Sequence, residues 1–168
     1  MRCILYVIAA DCSVELRAYS CCSHCDNAYV KLNGRDAWRA SWCADDPWPQ
    51  DRGVTTLLID PFNCTVQESH LFDTFVSAND TTQLSIYLQL LNNGSIVVAV
   101  TGDEPSRKLD IALLTLQQLG VEVGDVQFRG SFGFIAQKGF PHKTVLRKVL
   151  TEAESNVNPA SFNATITG

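Results

Sequence analysis

Three groups of side chains carry what chemistry this sequence can perform. The run CCSHC sets Cys21, Cys22, His24 and Cys25 within five positions, with Cys12, Cys43 and Cys64 close by in the chain. Read as a metal centre, these supply four ligands. Zinc sites, however, generally set two ligand pairs apart by a loop, because adjacent residues reach tetrahedral corners together only with difficulty. Cys21 and Cys22 also point in opposite directions if the chain is extended. Disulfides are the reading the spacing favours. All seven cysteines, Cys3 included, fall in the first 64 residues, the crowding expected of an oxidising compartment. The candidates are Cys12, Cys21, Cys22, Cys25, Cys43 and Cys64, with the connectivity open and an odd thiol left over. The second group is Asp103 and Arg129. Asp103 follows the apolar run Ile96–Val100 in a loop that leads into a helix, and Arg129 immediately precedes the last clear strand. Loops beyond sheet ends collect ligand sites, since a rigid scaffold holds them there. The plainer alternative is a bond between the two side chains, or to backbone, that pins the loops. The third group is Asn63, Asn79, Asn93 and Asn163, each opening an Asn-x-Ser/Thr acceptor. Four acceptors are more than chance places in a chain this size, and they predict passage through the secretory pathway.

No catalytic constellation joins them. Ser131 stands in RGSFG rather than in the GxSxG of a nucleophile elbow, and glycines 130 and 133 lack the Lys-Ser/Thr of a phosphate loop. Asp73 and Asp103 have no spacing that fixes a glycosidase separation. The three histidines, His24, His70 and His142, are scattered. No enzyme and no cofactor is therefore expected. Lys and Arg number 13 against 18 Asp and Glu, a formal charge of -5, so a general nucleic-acid binder is excluded for want of cations to neutralise phosphates. At 168 residues and 46% hydrophobic content the chain is one domain's worth with a sizeable core. It has no apolar run long enough to span a membrane.

The elements that must position these groups follow from periodicity. Strands are predicted at 14–19, Ala28–Leu32, Val54–Asp60, Thr65–Phe72, Ile96–Val100, weakly at Val121–Phe128, and at Ser131–Ala136 with Phe132 and Phe134 on one face. Residues 36–51 read as an irregular loop rich in tryptophan (Trp38, Trp42, Trp48), which covers a sheet edge or offers indoles to a sugar. Asp80 and Gln83 fit a capping box, and Leu84, Tyr87, Leu88 and Leu91 form the stripe of the helix that follows. A second helix begins near Pro105-Ser106, with Leu109, Ala112, Leu113, Leu116 and Leu119 along it and Gly120 as its stop. The organisation expected is a signal remnant or lead-in strand over 1–12, a domain over 13–140, an extension over 141–150 with room for one helical turn or two, and a flexible glycosylatable linker or tail over 151–168. The class is mixed α/β: a single domain of β-sheets flanked by two main helices, disulfide-bonded in its N-terminal part.

The order Asn33-Gly34, Arg52-Gly53-Val54, Asp60 and Phe72-Asp73-Thr74-Phe75 resembles the ILEI/PANDER domain. So do Asn93-Gly94-Ser95-Ile96-Val97, Asp103-Glu104-Pro105-Ser106, Leu119-Gly120 and Phe128-Arg129-Gly130-Ser131-Phe132-Gly133-Phe134 followed by Lys138-Gly139. The similarity covers about residues 13–140. In style it is nearest to the copies found in the stem of the protein O-mannose N-acetylglucosaminyltransferase and in hyaluronan-related cell-surface proteins with a G8 domain. Where the family usually has Trp this chain has Phe132, and Gly130 stands where an acidic residue is common.

The resemblance implies a lectin-like site in which Asp103 and Arg129 hydrogen-bond a sugar and Phe132 provides an apolar wall. It implies a non-catalytic accessory module that binds a glycan, of N-acetylglucosamine type or hyaluronan-like, within a larger extracellular or Golgi-lumenal protein. The alternatives are a secreted cytokine-like signalling protein and a structural domain that binds a cell-surface protein.

Overall fold

The computed structural model describes residues 11–19, 28–41, 51–149, 151 and 160–167. Two antiparallel sheets pack face to face, and the second carries helices on its other side. The first sheet contains β1 (Cys12–Ala18), β2 (Tyr29–Leu32), β3 (Arg35–Arg39) and β9 (Ala160–Ile166), in the order β3-β2-β1-β9. The second contains β4 (Val54–Asp60), β5 (Thr65–Phe72), β6 (Ile96–Thr101), β7 (Ser131–Gln137) and β8 (Val145–Val149), in the order β5-β4-β6-β7-β8. Helices α1 (Ala78–Leu90) and α2 (Leu113–Gln118) follow β5 and β6, with a 3-10 turn at Leu109–Ala112 leading into α2.

Strand parity divides the core in two. Leu57 and Ile59 of β4, Ile96, Val98 and Val100 of β6, and Ile135 of β7 face Val14, Leu16 and Val30 of the first sheet. The intervening residues Val97, Ala99, Phe132, Phe134 and Ala136 face Leu84 and Leu88 of α1 and Leu109, Ala112, Leu116 and Leu119 around α2. A strand between two such layers must be apolar at every position, which is why β6 reads IVVAVT and is buried throughout. Gly133 lies where a Cβ would stand 2.2 Å from Leu16 Cδ2, so the two sheets approach through the one residue without a side chain. Cys12 is bonded to Cys64, with Cα atoms 5.3 Å apart. That bond ties the first strand of one sheet to the turn between β4 and β5 of the other.

Several expectations are corrected. Residues 145–149 form an edge strand, not a helix, because Phe134 pairs with Leu146 and Ser131 with Val149. Residues 160–166 form β9, not a tail, and pair with the whole of β1 from Cys12↔Ile166 to Ala18↔Ala160. The loop expected over 36–51 begins as strand β3, whose Val30↔Trp38 pairing tucks Trp38 against the core. Val121–Phe128 is not a strand; its alternation instead seats Val121 and Val123 under the helices. The cap of α1 is Ser77, whose Oγ accepts from Asp80 N–H at 3.0 Å, so Asp80 lies in the first turn. The second helical segment begins at Leu109 rather than at Pro105-Ser106. Of the disulfide candidates, whose connectivity was open, Cys12 and Cys64 pair with each other. Cys3, Cys21, Cys22, His24, Cys25, Cys43, Trp42 and Trp48 lie outside the described residues, as does the lead-in before residue 11.

Candidate functional site

The site forms at one end of the five-stranded sheet. Val54, Phe72 and Thr101 stand opposite one another in register. The loops at 52–53, 73–76, 102–107 and 124–130 therefore leave the sheet on the same side. Gly53 makes the first turn possible: its φ is +103°, and a Cβ there would meet Phe72 O at 2.1 Å. Just before it, Arg52 forks onto Asp73, Nη2 to Oδ2 at 2.6 Å and Nε to Oδ2 at 3.1 Å. Asp73 Oδ1 accepts from the N–H groups of Phe75 and Val76, each at 3.1 Å, and so fixes the 73–76 turn. Thr74 fastens that turn to the next loop, donating to Pro105 O at 2.8 Å while its carbonyl accepts from Lys108 N–H at 2.8 Å.

Glu104 is the second anchor. It is 4% exposed; one carboxylate oxygen accepts from Ser106 N–H at 2.7 Å and the other from Arg129 N–H. This bond holds Arg129 at a positive φ of 58° and aims its guanidinium over the Phe128 ring, 5.4 Å from the centroid. Asp103 is 9% exposed. Burial raises its pKa above the usual aspartate range, while Glu104 N–H and the Arg129 and Arg52 guanidinium groups pull it down; Asp73 adds to the rise. The site thus brings a buried carboxyl, two guanidinium groups, the exposed Phe128 ring and the half-buried Phe75 ring to one rim. Charge-assisted hydrogen bonds and an apolar ring face are what recognition of a polyhydroxylated ring requires.

A carboxyl whose pKa rises on folding favours its neutral form in the native state. Its ionisation therefore costs stability above the raised value, and the cost vanishes below about pH 4, where unfolded aspartate is also protonated. Asp103→Asn is accordingly expected to be more stable than the parent at neutral pH, with the difference shrinking as acid is added. Urea denaturation of both proteins across that range checks it. A parent that is the more stable of the two at neutral pH contradicts this view of Asp103.

Asp103 and Arg129 lie close enough for the guanidinium to lower the Asp103 pKa, and Phe132 stands apart from both. Phe132 is fully buried, stacked on Phe134 at 6.5 Å, with its N–H bonded to Thr101 Oγ1 at 3.2 Å. Parity places it beneath the helices, and the phenyl rings at the rim are Phe128, 57% exposed, and Phe75. Sequence reasoning missed the Arg52–Asp73 fork, Glu104, Phe75, Arg107 and Phe128. All but Arg107 stand in the motif residues that carry the resemblance, which was the one signal able to find them. A cavity of about 360 Å³ lined by Ile96, Ile135, Val145 and Ile166 lies at the other end of the sheets, remote from these groups.

The interleukin-like EMT inducer family matches residues 52–140, the stretch that contains all of these loops. With more than half of the chain matched, the protein belongs to the interleukin-like EMT inducer family. It is 35% identical over 96 residues to the cell migration-inducing and hyaluronan-binding protein of Homo sapiens, and equally so to that of Mus musculus. Each match covers 56% of this chain but 7% of the relative, so the chain spans a small fraction of the curated relatives' length.

Proposed function

We propose that this chain is a non-catalytic, lectin-like carbohydrate-binding module of the extracellular space or the secretory lumen. The observation that carries the proposal is the placement of Asp103, a buried carboxyl whose ionisation works against folding, beside Arg129 and Arg52 at the rim. Groups with perturbed ionisation cluster at functional sites. The hyaluronan-binding relatives support a glycan as the ligand. Asp103 and Arg129 are its hydrogen-bonding pair. Replacing Arg129 by alanine removes a charged hydrogen bond and is expected to weaken sugar binding about ten- to a hundredfold. The fold is expected to survive, since the Glu104 bond to the residue 129 backbone persists. Calorimetric titration with N-acetylglucosamine-terminated and hyaluronan oligosaccharides checks it, with the parent's full affinity in the variant as the contrary result.

The compartment is supported by the Cys12–Cys64 bond and by the exposure of all four acceptors, Asn63, Asn79, Asn93 and Asn163. Glycopeptide mapping of secreted protein is expected to find sugar on Asn79 and Asn93, both on solvent-facing turns or first-turn positions beside α1. Both sites unmodified in secreted material is the contrary result. The family's description as an interleukin-like inducer supports a second reading, a secreted signalling protein, and a rim that responds to no sugar would favour it.

A further inference from the structure

We propose that the sugar received at this rim is acidic: Arg107 takes a uronate carboxylate while a pyranose face lies on Phe128. The inference rests on the glycan reading above and adds to it the class of sugar and the two residues that choose it. Phe75 and Phe128 stand with ring centroids 6.2 Å apart, tilted by 49°. Three guanidinium groups lie over them: Arg52 at 5.5 Å and Arg107 at 5.8 Å from Phe75, and Arg129 at 5.4 Å from Phe128.

Of the four acids in the rim loops, Asp125 of the 124–130 loop is exposed and the other three are engaged from below. Asp73 is held by Arg52, Glu104 by two backbone N–H groups, and Asp103 is buried. Arg107 is exposed and forms no ion pair among the described residues. The Phe75–Phe128 pair is therefore bordered by guanidinium groups, on a chain whose formal charge is -5. A polyanion is repelled by such a chain as a whole, but screening over about 8 Å at physiological salt leaves a local cationic spot able to act. A guanidinium matches a carboxylate bidentately and stacks flat on a ring, so Arg107 on Phe75 is stiffened where its fork is needed. A neutral sugar leaves that fork unused.

Titration of the chain with a hyaluronan hexasaccharide, its carboxyl methyl ester and a neutral N-acetylglucosamine hexamer separates the cases. Hyaluronan is expected to bind about tenfold more tightly than its ester, the effect of one charged hydrogen bond. Arg107→Gln should erase that difference, whereas Phe128→Ala should weaken all three. Equal affinity for hyaluronan and ester overturns the acidic-sugar inference and leaves the glycan reading standing. A hyaluronan preference that survives Arg107→Gln overturns the role of Arg107. Failure of all three oligosaccharides to bind overturns both.

Discussion

Gly53→Ala is expected to cost about 2–6 kcal/mol of stability, combining the strain of an L-residue at positive φ with overpacking against rigid neighbours. Gly53 has φ +103°, and its added Cβ would stand 2.1 Å from Phe72 O, 2.7 Å from Thr74 N and 2.9 Å from Asp73 Cα. All three are backbone atoms and none can swing aside. Gly34 is the internal control. It too has a positive φ, +76°, but nothing lies within 4 Å of a Cβ there. Gly34→Ala should therefore bring only the conformational part, about 1–3 kcal/mol. Urea midpoints of the two variants give the comparison directly. Equal losses would mean that the close approach of the 52–53 turn to the end of β5 is not what positions Arg52 on Asp73.

Loss of the Cys12–Cys64 bond is the second large effect. The two cysteines are 52 residues apart in sequence, and the chain-entropy relation for a loop of that length gives about 4 kcal/mol. The bond links the two sheets at the end away from the rim, since Ile59↔Ile96 and Cys12↔Ile166 are pairings of that end. The double variant Cys12→Ala/Cys64→Ala should therefore unfold at much lower urea while keeping its sugar affinity under native conditions. A variant as stable as the parent contradicts the cross-link's role. A folded variant that has lost only sugar affinity would relocate the site.

How far sequence alone reaches is clear from individual residues. The stripes of α1 and the segment around α2 were legible because Leu84, Leu88, Leu109, Leu116 and Leu119 recur at helical spacing and face a single layer. Strand β6 was legible because only a doubly covered strand reads IVVAVT. Strand β9 was not: Ala160, Phe162, Ala164 and Ile166 alternate with Ser161, Asn163 and Thr165, a weak signal of small residues that becomes a strand only when β1 supplies the partner. The cap of α1 was displaced because Ser77 and Asp80 both satisfy the local pattern, and only the chain's exit from β5 chooses between them. At the site, the loop positions of Asp103 and Arg129 could be read from the flanking strands. Phe132 was misassigned because the resemblance fixed its sequence position, whereas the side of the sheet it faces follows from parity with Phe134. Arg107 meeting Phe75, and Phe75 meeting Phe128, had no local trace. Those contacts arise from three loops that converge only once the sheet has formed.

Backbone amides of ¹⁵N-labelled protein, followed while N-acetylglucosamine-terminated and hyaluronan oligosaccharides are added, test the central claim most directly. The account predicts shifts clustered at residues 102–107 and 128–130, abolished by Arg129→Ala, with the amides lining the far cavity at 135–137 and 164–167 unmoved. Shifts confined to that far cavity, or none anywhere at millimolar sugar, would contradict it.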